Sequence, residues 1–253
     1  MTTRDEKDVR QYSRAELREI CQKTSSNPAQ EGFTGRVVRF FSLYTTMFFL
    51  RTPLSPNQIT ILSVAVFFVG VGLFFVGTYS ADIIGSLVIF LSVILDGSDG
   101  EVARFRKTAG RLGSNYVEPM SHDIQYGISF LMLGAALALR YDAPHFFLLG
   151  GIAAVAKLLY RLFESRFWHY YHAGITKGEI ENVKKAYGAL PFYAWFASWF
   201  RRRWLSSTGF ALLSMVFALL GRLDLLLWYW AIAASAFLVL LAGKQFLKLY
   251  RTV

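Results

Sequence analysis

The chain has 253 residues, 54% of them hydrophobic and 17% aromatic, with a mean hydropathy of +0.37, which excludes an ordinary soluble domain of this length. Its formal charge of +10 would suggest nucleic acid in a soluble protein. In a membrane chain it reports orientation and contact with anionic lipid, so no nucleic-acid partner is expected. The lone cysteine, Cys21, excludes an intrachain disulfide and a thiolate metal cluster.

Residues 1–34 read as a polar, partly ordered cytoplasmic arm, and 35–253 as one membrane domain. The stretch 35–50 mixes Arg36 and Arg39 with Val, Phe, Leu and Tyr, a composition suited to an interfacial amphipathic helix. Pro53 and Pro56 break that helix, and Asn57, with Thr60 behind it, is expected to cap the next. Six apolar stretches follow, at about 58–78, 82–104, 113–139, 144–164, 206–222 and 225–247, each near the ~20 residues that span a bilayer. The expected fold is therefore an all-α integral membrane protein of six transmembrane helices preceded by an interfacial helix.

With a cytoplasmic N-terminus, 25 of the 27 Lys and Arg residues fall inside, leaving Arg140 and Arg222 outside. Both termini and the segment that follows the second span are then cytoplasmic. Residues 177–204 end in an aromatic run beside Arg201, Arg202 and Arg203, which reads as an aromatic belt with topogenic charge. Gly70 and Gly72 permit close helix packing.

The second span closes on DGSDGEVAR, Asp96 to Arg104. Ionised carboxylates at a bilayer margin cost ~2.5–3.5 kcal/mol each unless a cation or polar cavity compensates them. At ~100° per residue, Asp99, Gly100 and Ala103 fall within about 60° of Asp96, and Arg104 about 80° away. Two carboxylates one turn apart suit a hard divalent cation, Gly100 and Ala103 leave room for a ligand, and Arg104 can fork onto a phosphate. Glu101 points about 140° away and is expected to be solvated. On the third span Glu118 and His122 lie four apart on one face: Glu118 could complete a carboxylate cage, and His122 could take a proton or act as a ligand. Lys157 and Arg161, also four apart, suit an acceptor's phosphate, or else snorkel to the interface.

Asp96-x-x-Asp99-Gly100-x-x-Ala103-Arg104, followed after eight residues by Gly113, resembles the signature of the CDP-alcohol phosphotransferase family, DxxDGxxARx₈GxxxDxxxD. The preceding PNQIT and the six-helix layout are also similar to that family. The signature's last two aspartates would fall at 117 and 121, where this chain has Val117 and Ser121. A shift of one residue puts Glu118 and His122 in those roles; alternatively Asp123 is the base, or the site is degenerate and the protein is a nucleotide-binding membrane scaffold.

The resemblance implies transfer of a substituted phosphate from a CDP-linked alcohol, such as CDP-diacylglycerol, to an acceptor hydroxyl, with release of CMP. It implies one or two Mg²⁺ or Mn²⁺ ions on Asp96, Asp99 and Glu118, and His122 or Asp123 as base. Gly100, Ala103, Arg104 and Gly113 would bind the nucleotide, and Asn57, Lys157 and Arg161 the substrates. Membrane lipids and a second copy of the chain, as a homodimer, are the partners it implies.

Overall fold

The computed structural model describes residues 12–22, 33–108, 116–173, 199–200 and 204–250, leaving out the side chains of 33–34, 168–173 and 247–250. Gly113, most of the 177–204 segment and the remainder of the N-terminal arm lie outside the described residues. The described residues form helices and contain no strand. In chain order these are α1 (Arg14–Gln22), α2 (Phe33–Phe49), α3 (Pro56–Gly72), α4 (Tyr79–Phe105), α5 (Glu118–Tyr141), α6 (His145–Ala173), α7 (Ser207–Leu219) and α8 (Leu223–Tyr250). A 3₁₀ turn, Leu73–Val76, prolongs α3.

Helices α3 (with its 3₁₀ turn), α4, α5, α6 and α8 are long and apolar enough to cross a membrane. Helix α7 has 13 residues, about 20 Å at 1.5 Å per residue, and is shorter than the span expected there. Gly221, at φ +65°, ends it in a left-handed turn before α8 begins.

Two glycine contacts set the bundle. A Cβ on Gly70 would stand 2.7 Å from Ile89 Cγ1 and 2.8 Å from the Gly85 carbonyl, so α3 and α4 cross with backbones nearly touching. A Cβ on Gly134 would meet the Phe146 carbonyl at 2.7 Å, fixing α5 against α6 in the same way. Gly70 is thus spent within the chain, while Gly72 has nothing within 4 Å. Around these crossings the core is aromatic. Phe130 packs at 5.0 Å from Trp230 and edge-on at 5.6 Å from Phe210, and Tyr126 stacks on Phe130. At the end far from Asp96, buried Asp82 accepts two hydrogen bonds from Arg140, at 2.7 and 2.8 Å, and Arg140 also donates to the Phe74 carbonyl.

Helix α2 has the inverse of a soluble helix's pattern. Phe40, Phe41, Tyr44 and Phe48 face outward, whereas Ser42 and Thr46 are fully buried against α4. That suits a helix with lipid on its outer side. The cap of α3 corrects the expectation for Asn57. Ser55 accepts from the Gln58 backbone N–H while Gln58 Oε1 accepts from the Ser55 backbone N–H, a reciprocal box that leaves Asn57 exposed in the first turn.

Candidate active site

Helix α4 is unbroken through DGSDG, so Asp96 and Asp99 are one turn apart on one rigid element. Asp99 is buried, and Thr60 of α3 donates to its Oδ2 at 2.5 Å. Asp96 shows a different balance. Its Oδ2 lies 3.6 Å from His122 Nε2 of α5, while its Oδ1 is buried with no hydrogen-bond partner. A buried carboxylate oxygen without a donor is costly, and the pair of aspartates carries repulsion besides. Glu118, exposed at the start of α5, adds its charge to both.

The oxygens of Asp96, Asp99 and Glu118 are the donors this site offers a divalent cation. All are carboxylate oxygens, the chemistry Mg²⁺ and Mn²⁺ prefer, and the orphaned Asp96 Oδ1 is the kind of atom a cation would satisfy. Among the described residues, however, no three His, Cys, Asp or Glu side chains are gathered closely enough to hold an ion alone. The residues therefore fit an open site, at which Asp96 and Asp99 would hold a cation only in part, rather than a closed protein cage.

On α5 the ring of His122 is held by Gln125, whose Oε1 is 3.4 Å from Nδ1, and lies 6.5 Å from the Tyr126 ring. Asp123 does not join Asp96. It is bonded by Arg161 Nε, and Arg161 also donates to the Pro119 carbonyl at 3.2 Å. Lys157 is buried, donates to the Leu205 carbonyl at 2.5 Å and lies 4.6 Å from the Tyr126 ring centroid. That placement overturns the snorkelling alternative for Lys157: its ammonium enters the bundle. The Arg161 guanidinium carbon lies 5.6 Å from the centroid of the same Tyr126 ring, so both cations border one aromatic on α5.

A model of the CDP-alcohol phosphatidyltransferase family matches residues 53–241, three quarters of the chain. The chain belongs to that family. It is 35% identical over 104 residues to a "Bifunctional IPC transferase and DIPP synthase" of Rubrobacter xylanophilus. That match covers 41% of this chain and 23% of the relative, so the chain spans less than a quarter of that relative's length. With the apolar helices above, the chain is an integral membrane member of the CDP-alcohol phosphatidyltransferase family.

Against the family signature, the first half is well ordered. Gly100 and Ala103 lie half-buried on α4 beside the aspartates, and the Arg104 guanidinium folds along Gly100, its Nη1 3.2 Å from where a Cβ would be. Its Nε donates to the Cys21 carbonyl at 2.5 Å. The second half departs from the signature at Val117 and Ser121, and here α5 opens with a π-helical turn at Tyr116–Val117. A π turn holds one residue more than an α turn.

Two residues around the site are not legible in the sequence. Thr60 read only as support for a cap, because nothing in a sequence shows which carboxylate a hydroxyl on another helix will meet. Glu101 was expected in solvent. It is instead 2% exposed and accepts hydrogen bonds from Ser42, Thr46 and Gln22. The helical wheel gave its direction correctly, but α1 and α2 occupy that side.

Proposed function

We propose that this protein transfers a substituted phosphate from a CDP-linked alcohol, such as CDP-diacylglycerol, to an acceptor hydroxyl and releases CMP. The observation that carries the reading is the Asp96 side chain, with one oxygen buried and unpartnered and the other facing His122 across two helices. Asp96 and Asp99, with Glu118 at the margin, would hold Mg²⁺ or Mn²⁺. Such a cation, when bound, draws charge from the donor's pyrophosphate and stabilises the departing CMP.

The chain's own residues supply the rest. Thr60 fixes the Asp99 carboxylate, Gly100 makes room for the Arg104 guanidinium along α4, and Ala103 keeps the same face low for the nucleotide. Arg104 offers its guanidinium to the phosphates. His122, steadied by Gln125, takes the proton of the acceptor hydroxyl as its oxygen bonds to phosphorus and the bond from phosphorus to the CMP oxygen breaks. The π turn favours Glu118 and His122 as stand-ins for the two missing aspartates, since it absorbs one extra residue and preserves their four-residue spacing. Asp123, bonded to Arg161, serves less well as base.

For the acceptor, Arg161 and Lys157 around Tyr126 form a cationic wall suited to a phosphorylated polyol. Asn57, exposed one turn from Thr60, lies where a donor could reach it. The site faces the cytoplasm on the charge distribution, residues 35–253 act as one membrane domain, and a homodimer is its assembly. Purified protein given Mg²⁺, CDP-diacylglycerol or a CDP-linked small alcohol, and a panel of polyols and polyol phosphates should release CMP, and Asp99→Asn should not. Silence across the panel with retained CDP-alcohol binding would leave a nucleotide-binding scaffold, the reading that Val117 and Ser121 favour.

A further inference from the structure

Glu101 takes no part in the chemistry above, yet its carboxylate is among the most fully satisfied buried groups of the fold. Its Oε1 accepts from Ser42 Oγ at 2.6 Å and from Gln22 Nε2 at 2.9 Å, and its Oε2 accepts from Thr46 Oγ1 at 2.7 Å. A buried carboxylate is tolerated when donors of this kind surround it, and such charge-assisted bonds are strong. The donors come from two other helices, so Glu101 joins α1 and α2 to the signature turn of α4.

The join continues on both sides. Gln22 Nε2 also donates to the Arg39 carbonyl at 2.9 Å, and Arg39 Nη1 donates back to the Gln22 carbonyl at 3.1 Å. One residue earlier, the Cys21 carbonyl accepts from Arg104 Nε, the bond that lays the guanidinium along Gly100. Helix α2 lies against α4 at Gly97, where a Cβ would stand at ordinary contact distance, 3.4 Å, from Ser42 Cβ.

We infer that Glu101 is a positioning residue: by tying the last turn of α1 and the polar face of α2 to α4, it holds the Cys21 carbonyl where that carbonyl aims Arg104 along Gly100 toward the donor's phosphates. The inference rests on the proposed function, because it assigns Glu101 to binding of the CDP-linked donor. Cutting the tether frees the Arg104 side chain, and donor binding must then order it again. Asp96, Asp99 and His122 are untouched, so the loss falls on KM rather than on kcat.

Cys21 reports the tether without any substrate. It is the chain's single cysteine, fully buried, and burial with the Glu101 charge beside it pushes its thiol up to about 12, so it is un-ionised and slow to alkylate while α1 is docked. The experiment compares full-length Gln22→Ala, Glu101→Ala and Glu101→Gln with the unsubstituted protein, in CMP release from CDP-diacylglycerol and in maleimide labelling of Cys21. Gln22→Ala and Glu101→Ala should raise donor KM by about tenfold, the loss of a hydrogen bond to a charged group, with kcat within about threefold. Both should label Cys21 faster, and Glu101→Gln, which keeps an acceptor oxygen, should recover most of the native KM.

Faster labelling with unchanged donor KM would overturn the inference, as would a fall in kcat at constant KM. If Glu101→Ala does not fold, Gln22→Ala alone decides, since it removes one donor and leaves the Ser42 and Thr46 bonds. Failure of the unsubstituted protein to release CMP with any donor would instead sink the proposed function; unchanged Cys21 labelling in Gln22→Ala would then still overturn the tether.

Discussion

Thr60→Val is the sharpest perturbation of this site, because it removes one hydroxyl and keeps the shape. Thr60 has one proton to donate and two acceptors in reach, the Pro56 carbonyl at 3.2 Å and Asp99 Oδ2 at 2.5 Å. The shorter, charge-assisted bond takes the proton. Its loss leaves Asp99, 8% exposed, short of a donor. A hydrogen bond to a charged group is worth about 1.5–3 kcal/mol, or roughly 10- to 150-fold. Losing a group that orients a metal-binding carboxylate costs about 10- to 100-fold in metal affinity or activity, so two independent estimates agree. In a CMP-release assay titrated with Mg²⁺, Thr60→Val should raise the half-saturating Mg²⁺ by that factor, and Thr60→Ser should stay near the native value. An unchanged Mg²⁺ dependence in Thr60→Val would refute the assignment of Asp99 to the cation and of Thr60 to its support.

Removing His122 as His122→Gln should lower kcat by about 10²- to 10⁴-fold with little change in donor KM, the measure of lost base catalysis in steady-state CMP release. Arg161→Gln should raise the KM of a phosphorylated acceptor and leave that of the CDP-linked donor unchanged, read from initial rates with each substrate varied. At the other end of the bundle, Asp82→Asn or Arg140→Met alone should destabilise the fold by about 3–5 kcal/mol, and the double replacement Asp82→Leu with Arg140→Met by much less, as followed by thermal unfolding in detergent. Gly85→Val should prevent proper assembly, since a Cβ there would stand 2.6 Å from the Gly70 carbonyl; the measure is the yield of monodisperse protein.

Most of the helix layout was legible because a membrane span announces itself through length and apolar composition, and α3, α4, α5, α6 and α8 lie where such stretches occur. The exception, α7, is short because Gly221 closes it early, a turn that a hydropathy window averages away. Within the site, Asp96, Asp99, Gly100 and Ala103 were legible because they share one face of one helix, where spacing alone sets geometry. Thr60, Gln125 and the pairing of Asp123 with Arg161 depend on how neighbouring helices are rotated, which no local periodicity encodes.

Glu101 shows the physical reason most clearly. A helical wheel separates the Asp96 face from its opposite, and for a soluble helix the opposite of a functional face is usually water. Here the polar residues of α2 point inward, as Ser42 and Thr46 do, because the other side of that helix carries Phe40, Phe41 and Phe48. A helix with lipid outside must bring its hydroxyls to the protein, and those hydroxyls need acceptors. Glu101 is that acceptor, and Arg106 completes the joint by donating to the Phe49, Thr52 and Leu54 carbonyls at the end of α2. The charges that follow Asp99 thus divide by chemistry: Arg104 lies along Gly100 beside the aspartates, while Glu101 and Arg106 bind the outer helices to the turn that carries them.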